Sequence, residues 1–295
     1  MWSILACLRL SLGIIAFFLP GELRAEVSSR PITALSLQVG ILQTPWEEAQ
    51  QESYQNKLAH LERILLSVAG PHGADVVALQ GVADKAAVES LVSAVNRALG
   101  PVQPSYVTWL VGDRSGADGL RAAVVSKFPL TSFRSFVPYP SAPPIIYVLL
   151  DARGSPLHLL VNAWGEGLGD AQQQGFSQQA YWCRRVAETI LKDEPSARLL
   201  VMGDFGVPSD SPFVRYIERG ATSGAQLLRC LSSEILPDSE IGAPSFEYTD
   251  HVFASTALQW PSNAHASPDE RGGRAIRASG VPGEHPAVWV RVPAP

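Results

Sequence analysis

The sequence has 295 residues, of which 46% are apolar, and a formal net charge of −5 at neutral pH. This length permits one large domain or two small ones, and the sequence shows no linker, repeat or low-complexity tract, which favours one. The acidic balance excludes a global attraction to polyanions, and no run of basic residues provides a strong nucleic-acid signal.

The first 25 residues have the pattern of a secretory signal peptide. Residues 10–19 are almost wholly apolar, Arg9 precedes them, and Ala25 offers a small residue for cleavage. We therefore expect an exported protein, periplasmic or extracellular, with residues 26–295 as its mature domain and a formal charge of −6. The alternative is an uncleaved N-terminal membrane anchor, although Arg9 interrupts the uncharged span of about 20 residues that crossing a membrane usually needs.

Two cysteines, Cys183 and Cys230, remain in the mature chain. An exported pair could form one disulfide. The position of Cys183 inside a helical pattern instead favours two buried thiols. Neither cysteine fits a zinc site, because the sequence has no C-x-x-C or H-E-x-x-H motif.

The first third of the mature chain alternates between strand and helix patterns. A strand is predicted at 33–39. Residues 44–47 then have capping-box spacing with a proline in the first turn, and a helix continues to Val68, with Gly70 and Pro71 ending it. A short buried strand at 75–79 and a helix at 86–99 follow.

The rest of the chain is richer in strands. Four strand-like runs are predicted at 106–111, 120–126, 130–137 and 145–150, and a fifth at 157–163 leads through a glycine-rich loop to a helix at 173–191. A strand at 199–202, a helix at 212–219 and two closing strands at 248–255 and 287–292 complete the pattern. This order predicts an α/β protein with two mixed sheets packed face to face and helices outside.

Three motifs of other enzyme classes are incomplete. Asp204-Phe205-Gly206 spells the DFG of protein kinases, but no glycine-rich loop, lysine strand or H-R-D loop precedes it. The glycines of 165–169 do not have dinucleotide-loop spacing, and Asp204, at the end of the next predicted strand, lies nearly twice as far away as the roughly 20 residues at which such a loop expects an acid. No G-x-S-x-G occurs, so a serine hydrolase has no support.

Four polar residues at predicted strand ends form a better constellation: Asp204, Asp250, Glu284 and His285. A carboxylate that orients an imidazole makes it a better general base, and further carboxylates could hold Mg²⁺. Each residue also has a simpler interpretation. Asp204 could cap the turn at Gly206, Asp250 could accept backbone N–H groups, and the Glu284-His285 pair could lie in a solvated loop.

Seven segments in order resemble the endonuclease/exonuclease/phosphatase superfamily. They are "ADVVALQGV", "GLRAAVVSKFPL", "LHLLVNAW", "FSQQAYWCRRVAETI", "LLVMGDFGVPSDSP", "YTDHVFAS" and "EHPAV". The resemblance implies a four-layer α/β/β/α sandwich with its site at one end of the two sheets, and Mg²⁺-dependent hydrolysis of phosphate esters. It also implies that Asp250 accepts a hydrogen bond from His285, and that Asp204 and Glu284 are the remaining metal ligands.

The chain departs from the family pattern at five site positions. Gln38 stands where the family has an asparagine, Gly81 where it has the main glutamate ligand, and Trp164 where it has a histidine. Gly206 stands where it has an asparagine, and Glu284, which keeps a carboxylate, where it has an aspartate. Trp164 is expected to block the substrate side. Restoring Gly81→Glu with Gly206→Asn is expected to raise Mg²⁺ affinity.

These departures favour an exported, monomeric protein with a degraded Mg²⁺ site and a binding role, and a phosphate-containing small molecule or lipid is the expected partner. The alternative is an active metal-dependent phosphoesterase with a rebuilt site. In that case Arg121, Lys127, Glu166, Asp170 or Asp210 would replace the lost groups.

Overall fold

The computed structural model describes residues 30–68, 72–116, 118–139, 142–164, 170–220, 226–231, 249–258, 273–276 and 287–293. The strands in these ranges are β1 (Ile32–Leu42), β2 (Val76–Val82), β3 (Thr108–Val111), β4 (Arg121–Ser126), β5 (Leu130–Phe136), β6 (Ile145–Asp151), β7 (Pro156–Ala163), β8 (Leu199–Asp204), β9 (Leu228–Cys230), β10 (Asp250–Ser255), β11 (Gly273–Ile276) and β12 (Ala287–Val292). The α-helices are α1 (Gln51–Ser67), α2 (Lys85–Leu99), α3 (Asp170–Asp193) and α4 (Pro212–Arg219).

The strands form two mixed six-stranded sheets. Sheet A has the order β11-β12-β1-β2-β4-β3, and sheet B has the order β5-β6-β7-β8-β10-β9. In each sheet one central pair is parallel, β1 with β2 and β7 with β8, while the other pairs are antiparallel. The parallel pairs arise because a helix returns the chain between their strands.

Three hydrophobic cores separate four layers. One core lies between α1, α2 and the outer face of sheet A. A second fills the space between the two sheets. A third lies between the outer face of sheet B and α3 and α4. The predicted α/β/β/α sandwich of two mixed sheets with helices outside is therefore confirmed.

Local sequence signals explain most helix ends. The carboxylate of Asp84 accepts the backbone N–H of Ala87 at 2.8 Å and caps α2. The hydroxyl of Ser211 does the same for Val214 at 3.2 Å in α4, where Pro212 occupies the first turn. The predicted bounds of α4 and β12 match the structure.

The capping box predicted at residues 44–47 is wrong. The Thr44 backbone N–H and hydroxyl both donate to Asp84 Oδ2, at 2.7 and 2.9 Å, and so tie this loop to the start of α2. The helical segment begins instead with a short 3₁₀ turn at Glu48–Gln50. Asp84 therefore accepts the Thr44 backbone N–H that Glu47 would accept in a capping box.

Cys183 and Cys230 are buried thiols, as the helical pattern around Cys183 favoured. Burial raises the pKa of the Cys183 thiol to about 12. None of the helices in the described ranges is long and apolar enough to cross a membrane. The predicted signal peptide, residues 1–25, lies outside those ranges.

Candidate functional site

Strand alternation places a polar group at one end of the space between the sheets. Successive side chains of a strand point to opposite faces. Inner-face residues near the starts of β1 and β2, such as Ala34 and Val76, are apolar and belong to the core between the sheets. Further along the same faces the side chains become polar, and they meet polar side chains of β8 and β10. The group consists of Ser36, Gln38, Gln80, Asp204 and Asp250.

Backbone pairing fixes the positions of four of these five residues. Gln38 of β1 is the register partner of Gln80 of β2. Asp204, the last residue of β8, is the register partner of Asp250, the first residue of β10. The structure therefore brings Asp204 and Asp250 together at one end of the sandwich, as their strand positions predicted. Glu284 and His285 lie outside the described residues.

Asp204 is buried and links the two sheets. Its Oδ1 accepts the backbone N–H of Gly206 at 2.9 Å, which caps the turn after β8. Its Oδ2 faces Nε2 of Gln38, a residue of the opposite sheet, at 3.5 Å. The capping role that the sequence allowed for Asp204 is thus present, alongside the position in the site.

Asp250 is fully buried beside Asp204. Its Oδ1 accepts the Ser36 hydroxyl at 2.6 Å, a second link between the sheets. Its Oδ2 has no hydrogen-bond partner among the described residues. Burial, followed by the charge of Asp204, raises the pKa of Asp250 well above its usual range, so its neutral form is favoured.

The backbone of β1 packs directly against Gly81. Its φ is +90°, and a Cβ added there would lie 1.8 Å from the carbonyl oxygen of Gly40 and 2.6 Å from Gln38 Oε1. That Oε1 already accepts the backbone N–H of Gly40 at 3.0 Å. An irregularity in the β1–β2 register, between Gln38 and Leu42, accompanies this close approach. The space where a glutamate would leave β2 is filled by main chain.

This packing corrects the expectation for Gly81→Glu. The substitution would displace the β1 backbone before its carboxylate reached a metal, so it would not restore Mg²⁺ affinity. Gly206 is different. Its φ of +62° is one that asparagine tolerates, and the nearest atom to an added Cβ is the side-chain Cζ of Phe176 at 3.2 Å.

Trp164 does not block the substrate side, contrary to expectation. It follows β7 and belongs to the core between sheet B and the outer helices. Its ring stacks on Phe176 with centroids 5.6 Å apart and meets the edge of Phe205 at 4.9 Å. Its indole N–H donates to Asn162 Oδ1 at 3.3 Å. The large apolar ring finds aromatic partners on the outer face of the sheet, where a histidine would leave part of this packing unfilled.

Sequence reasoning missed three polar residues at this end: Ser36, Gln80 and the buried neighbour of Asp250, His251. Gln80 is fully buried, and neither atom of its amide has a hydrogen-bond partner among the described residues. Burial lowers the pKa of His251 to about 4, and its Nε2 lies 2.7 Å from the carbonyl of Val207, so it is a neutral structural donor. The signal for Ser36 and Gln80 was available, since both interrupt apolar strands at inner-face positions.

The residues proposed to rebuild a site are dispersed. Arg121 lies at the same end as Gln80, because it pairs with Val82. Lys127 follows Ser126, which pairs with Val76 at the other end of β2, so it cannot serve this site. Asp210 is exposed in the turn before α4. Asp170 is the first residue of α3, and Glu166 lies outside the described residues.

The described residues do not fit Mg²⁺. The ion prefers near-octahedral oxygen coordination that includes charged carboxylates. In the described ranges no group of three or more His, Cys, Asp or Glu side chains converges. The two carboxyl groups present are Asp204, which already caps a turn, and Asp250, whose neutral form is favoured.

A family model matches most of the chain. The model of the Endonuclease/Exonuclease/phosphatase family matches residues 43–253. None of the curated protein sequences that were compared matches the chain.

Solved structures with a similar fold include those of TDP2, Nocturnin and sphingomyelinase C. Truncated TDP2 of Caenorhabditis elegans is 12% identical, with a TM-score of 0.59 over 90% of this chain and 98% of that one. The human Nocturnin catalytic domain is 13% identical, with a TM-score of 0.56 over 91% and 98%. Sphingomyelinase C from Streptomyces griseocarneus is 15% identical, with a TM-score of 0.56 over 89% and 99%. At these low sequence identities, the structural similarity establishes a shared fold alone.

Proposed function

Because the chain belongs to the endonuclease/exonuclease/phosphatase family, we propose that it is an exported, monomeric member whose Mg²⁺-phosphoesterase site has been dismantled and whose role is binding. The family fold and the paired carboxyl groups are retained. Among the residues that the structure describes, the other side chains at the site do not form a set that holds a divalent cation or stabilises charge on a transferring phosphate.

One observation carries the proposal, the contact between Gly81 and Gly40. A missing side chain could be a recent loss that leaves its space empty. Here the space is taken by the Gly40 carbonyl, 1.8 Å from where a Cβ would lie. The main chain of β1 occupies the space that a side chain at Gly81 would need. Because the sequence resemblance places the family's principal metal ligand at this position, the packing supports a site that does not work through that ligand.

A second observation supports the alternative, an active phosphoesterase with a rebuilt site. Arg121 lies at the correct end, and its Nε is buried with no hydrogen-bond partner among the described residues. A guanidinium there could contact a phosphate oxygen. In this alternative the carboxylate of Asp204 is the indispensable group, so its removal must abolish turnover.

The test is hydrolysis of bis(4-nitrophenyl) phosphate and 4-nitrophenyl phosphate by the mature protein with Mg²⁺ or Mn²⁺. Asp204→Asn removes the buried carboxyl group at nearly constant shape, and Asp193→Asn, at the exposed end of α3, is the control. We expect all three proteins to match the metal-only blank. Metal-dependent turnover by the unmodified protein and Asp193→Asn, lost in Asp204→Asn, would establish the alternative.

Export has its own test. The apolar run after Arg9 and the small residue Ala25 support cleavage near residue 25. Mass spectrometry of the protein recovered outside the cytoplasm should find a chain lacking the first 25 residues. A species that retains Met1 would favour the membrane anchor.

A further inference from the structure

The end of the sandwich opposite the candidate site contains a cavity of about 300 Å³. It is lined in part by Arg30, Asp75, Lys127, Phe128, Asp151 and Arg153. Asp75 immediately precedes β2, and Gln80 lies five residues further along the same strand. At about 3.3 Å per residue, roughly 17 Å separates the two ends. We call this cavity the basal pocket.

The buried carboxylate of the basal pocket is already fully engaged. Asp75 is completely buried and forms a two-pronged ion pair with Arg30, at 3.1 Å from Nη1 and 2.5 Å from Nη2. It also accepts the backbone N–H of Thr33 at 3.0 Å. Asp75 therefore pairs directly with Arg30 and also attracts Lys127 and Arg153, so three cations share this one buried carboxylate.

Lys127 is the second cation and is almost wholly buried. Its ammonium donates to the carbonyl of His72 and lies 5.3 Å from the centre of the Tyr106 ring. Burial lowers the pKa of Lys127 to about 8, with Asp75 opposing the shift and Arg30 adding to it. The group is still mostly charged at pH 7. An ammonium has three N–H donors, and the His72 carbonyl uses one of them.

Arg153 is the third cation, and the turn between β6 and β7 holds it in an unusual conformation. Its φ of +63° makes it the one non-glycine residue with positive φ in the described ranges. Its Nη1 donates to the carbonyl of Arg30 at 2.6 Å, and its guanidinium lies 5.7 Å from the centre of the Phe128 ring. Its Nη2 is buried and has no hydrogen-bond partner among the described residues. The next residue, Gly154, also has a positive φ, +82°, which is the pattern of a tight β-hairpin turn, so the turn fixes the place of Arg153 beside the pocket.

Arg198 and Asp151 add to the charges around the pocket. Burial, followed by the charge of Arg153, lowers the pKa of Arg198. The other carboxylate of the pocket, Asp151, is exposed, and its Oδ1 already accepts the backbone N–H of Gly154 at 2.7 Å. The pocket of this acidic protein is thus lined by three cations and two carboxylates, and both carboxylates already accept hydrogen bonds.

We propose that the basal pocket is a binding site for a small molecule that carries an oxyanion group, a phosphate, sulfate or carboxylate. The Nη2 of Arg153 and the remaining donors of Lys127 supply charge-assisted hydrogen bonds. The Phe128 ring supplies an apolar wall. The volume, at the lower limit of small-ligand sites, selects a small molecule over a macromolecular segment. This site is independent of the proposed function, because hydrolysis at the other end of the sandwich would leave it unchanged.

The test measures the thermal midpoint of the mature protein as phosphate, sulfate or acetate replaces chloride at constant ionic strength and pH 7. A ligand at 100 times its Kd stabilises the folded state enough to raise the midpoint by about 5 °C. Arg153→Gly is the key variant, because glycine removes the guanidinium and suits the positive φ. Lys127→Met is the second variant. Arg215→Met, an exposed arginine on α4, is the charge control, and Asp204→Asn is the control for the other end.

We expect at least one oxyanion to raise the midpoint of the unmodified protein, Arg215→Met and Asp204→Asn, with most of the rise lost in Arg153→Gly and Lys127→Met. Three results would overturn the proposal. These are no rise with any of the three anions, an equal rise in every variant, and a rise that disappears in Asp204→Asn. If Lys127→Met does not fold, Arg153→Gly decides the question alone.

Discussion

Replacing Gly81 with alanine should destabilise the protein strongly, although the change adds one methyl group. The added carbon would lie 1.8 Å from the Gly40 carbonyl oxygen and 2.9 Å from its carbon, both main-chain atoms. The left-handed backbone costs a non-glycine residue about 1–2 kcal/mol. Displacing the packed backbone costs about 1–3 kcal/mol more. We therefore expect Gly81→Ala to lower the free energy of unfolding by about 2–5 kcal/mol.

A matched variant separates the two contributions. Gly119 has a similar φ of +78°, but no atom lies within 4 Å of an added Cβ. Gly119→Ala should therefore lose only the conformational part, about 1–2 kcal/mol. Equilibrium unfolding in urea of both variants and the parent protein measures the difference. Equal losses in Gly81→Ala and Gly119→Ala would refute the conclusion that the β1 backbone occupies the glutamate position.

Three further substitutions test the description of the site. Gly206→Asn should cost about 1 kcal/mol or less in urea unfolding, because asparagine tolerates positive φ and the Phe176 ring can shift; a loss as large as that of Gly81→Ala would contradict this. Trp164→His should cost about 3 kcal/mol through lost aromatic packing and should create no hydrolysis of 4-nitrophenyl phosphate; an unchanged stability would show that the indole is not a core residue. Asp250→Asn should stabilise the protein increasingly as pH rises from 4 to 8. Because the pKa of Asp250 is raised in the folded state, the parent protein loses stability as pH rises through that interval. The Asp250→Asn variant has no carboxyl proton to lose, so its stability does not fall for this reason. Urea unfolding at several pH values measures this gain, and a loss at neutral pH would instead indicate a charged Asp250 that stabilises a cation such as the imidazolium of His285.

The layered fold could be predicted because apolar periodicity and turn residues agree along most of the chain. In α4 a serine, a proline and a following glycine mark both ends, and its predicted bounds are those of the structure. Two strands were missed for a physical reason. Strand β9 is three residues long, and β11 has the sequence Gly-Arg-Ala-Ile, so neither contains an apolar run. Pairing with β10 and β12, respectively, defines them as strands.

The site was predicted only in part, because sequence identifies side chains more readily than the backbone around them. Asp204 and Asp250 were identified from their places at strand ends. The sequence showed that Gly81 lacks a carboxylate, but it did not show that the Gly40 carbonyl fills the vacated space. For Trp164, the sequence did not indicate which face of sheet B the ring would cover. The aromatic partners on the outer face, Phe176 and Phe205, come from distant parts of the chain.

The basal pocket shows the same limitation in another form. Arg30, Asp75, Lys127 and Arg153 are spread over more than 120 residues and share no motif. They meet because β1 and β2 run parallel and begin at the same end of sheet A, while the turn between β6 and β7 reaches that end from sheet B. Only the packing of the two sheets places these charges around one cavity.

The most direct test of the dismantled site is Mn²⁺ binding, followed by the electron paramagnetic resonance signal of the free aqueous ion. Mn²⁺ accepts the oxygen ligands that Mg²⁺ uses, so it reports on a site of this family without requiring turnover. The mature protein, titrated at up to millimolar Mn²⁺, should leave the free-ion signal equal to that of Asp204→Asn. A stoichiometric loss of free signal in the unmodified protein, absent in Asp204→Asn and retained in Asp193→Asn, would contradict the account and show a working metal site.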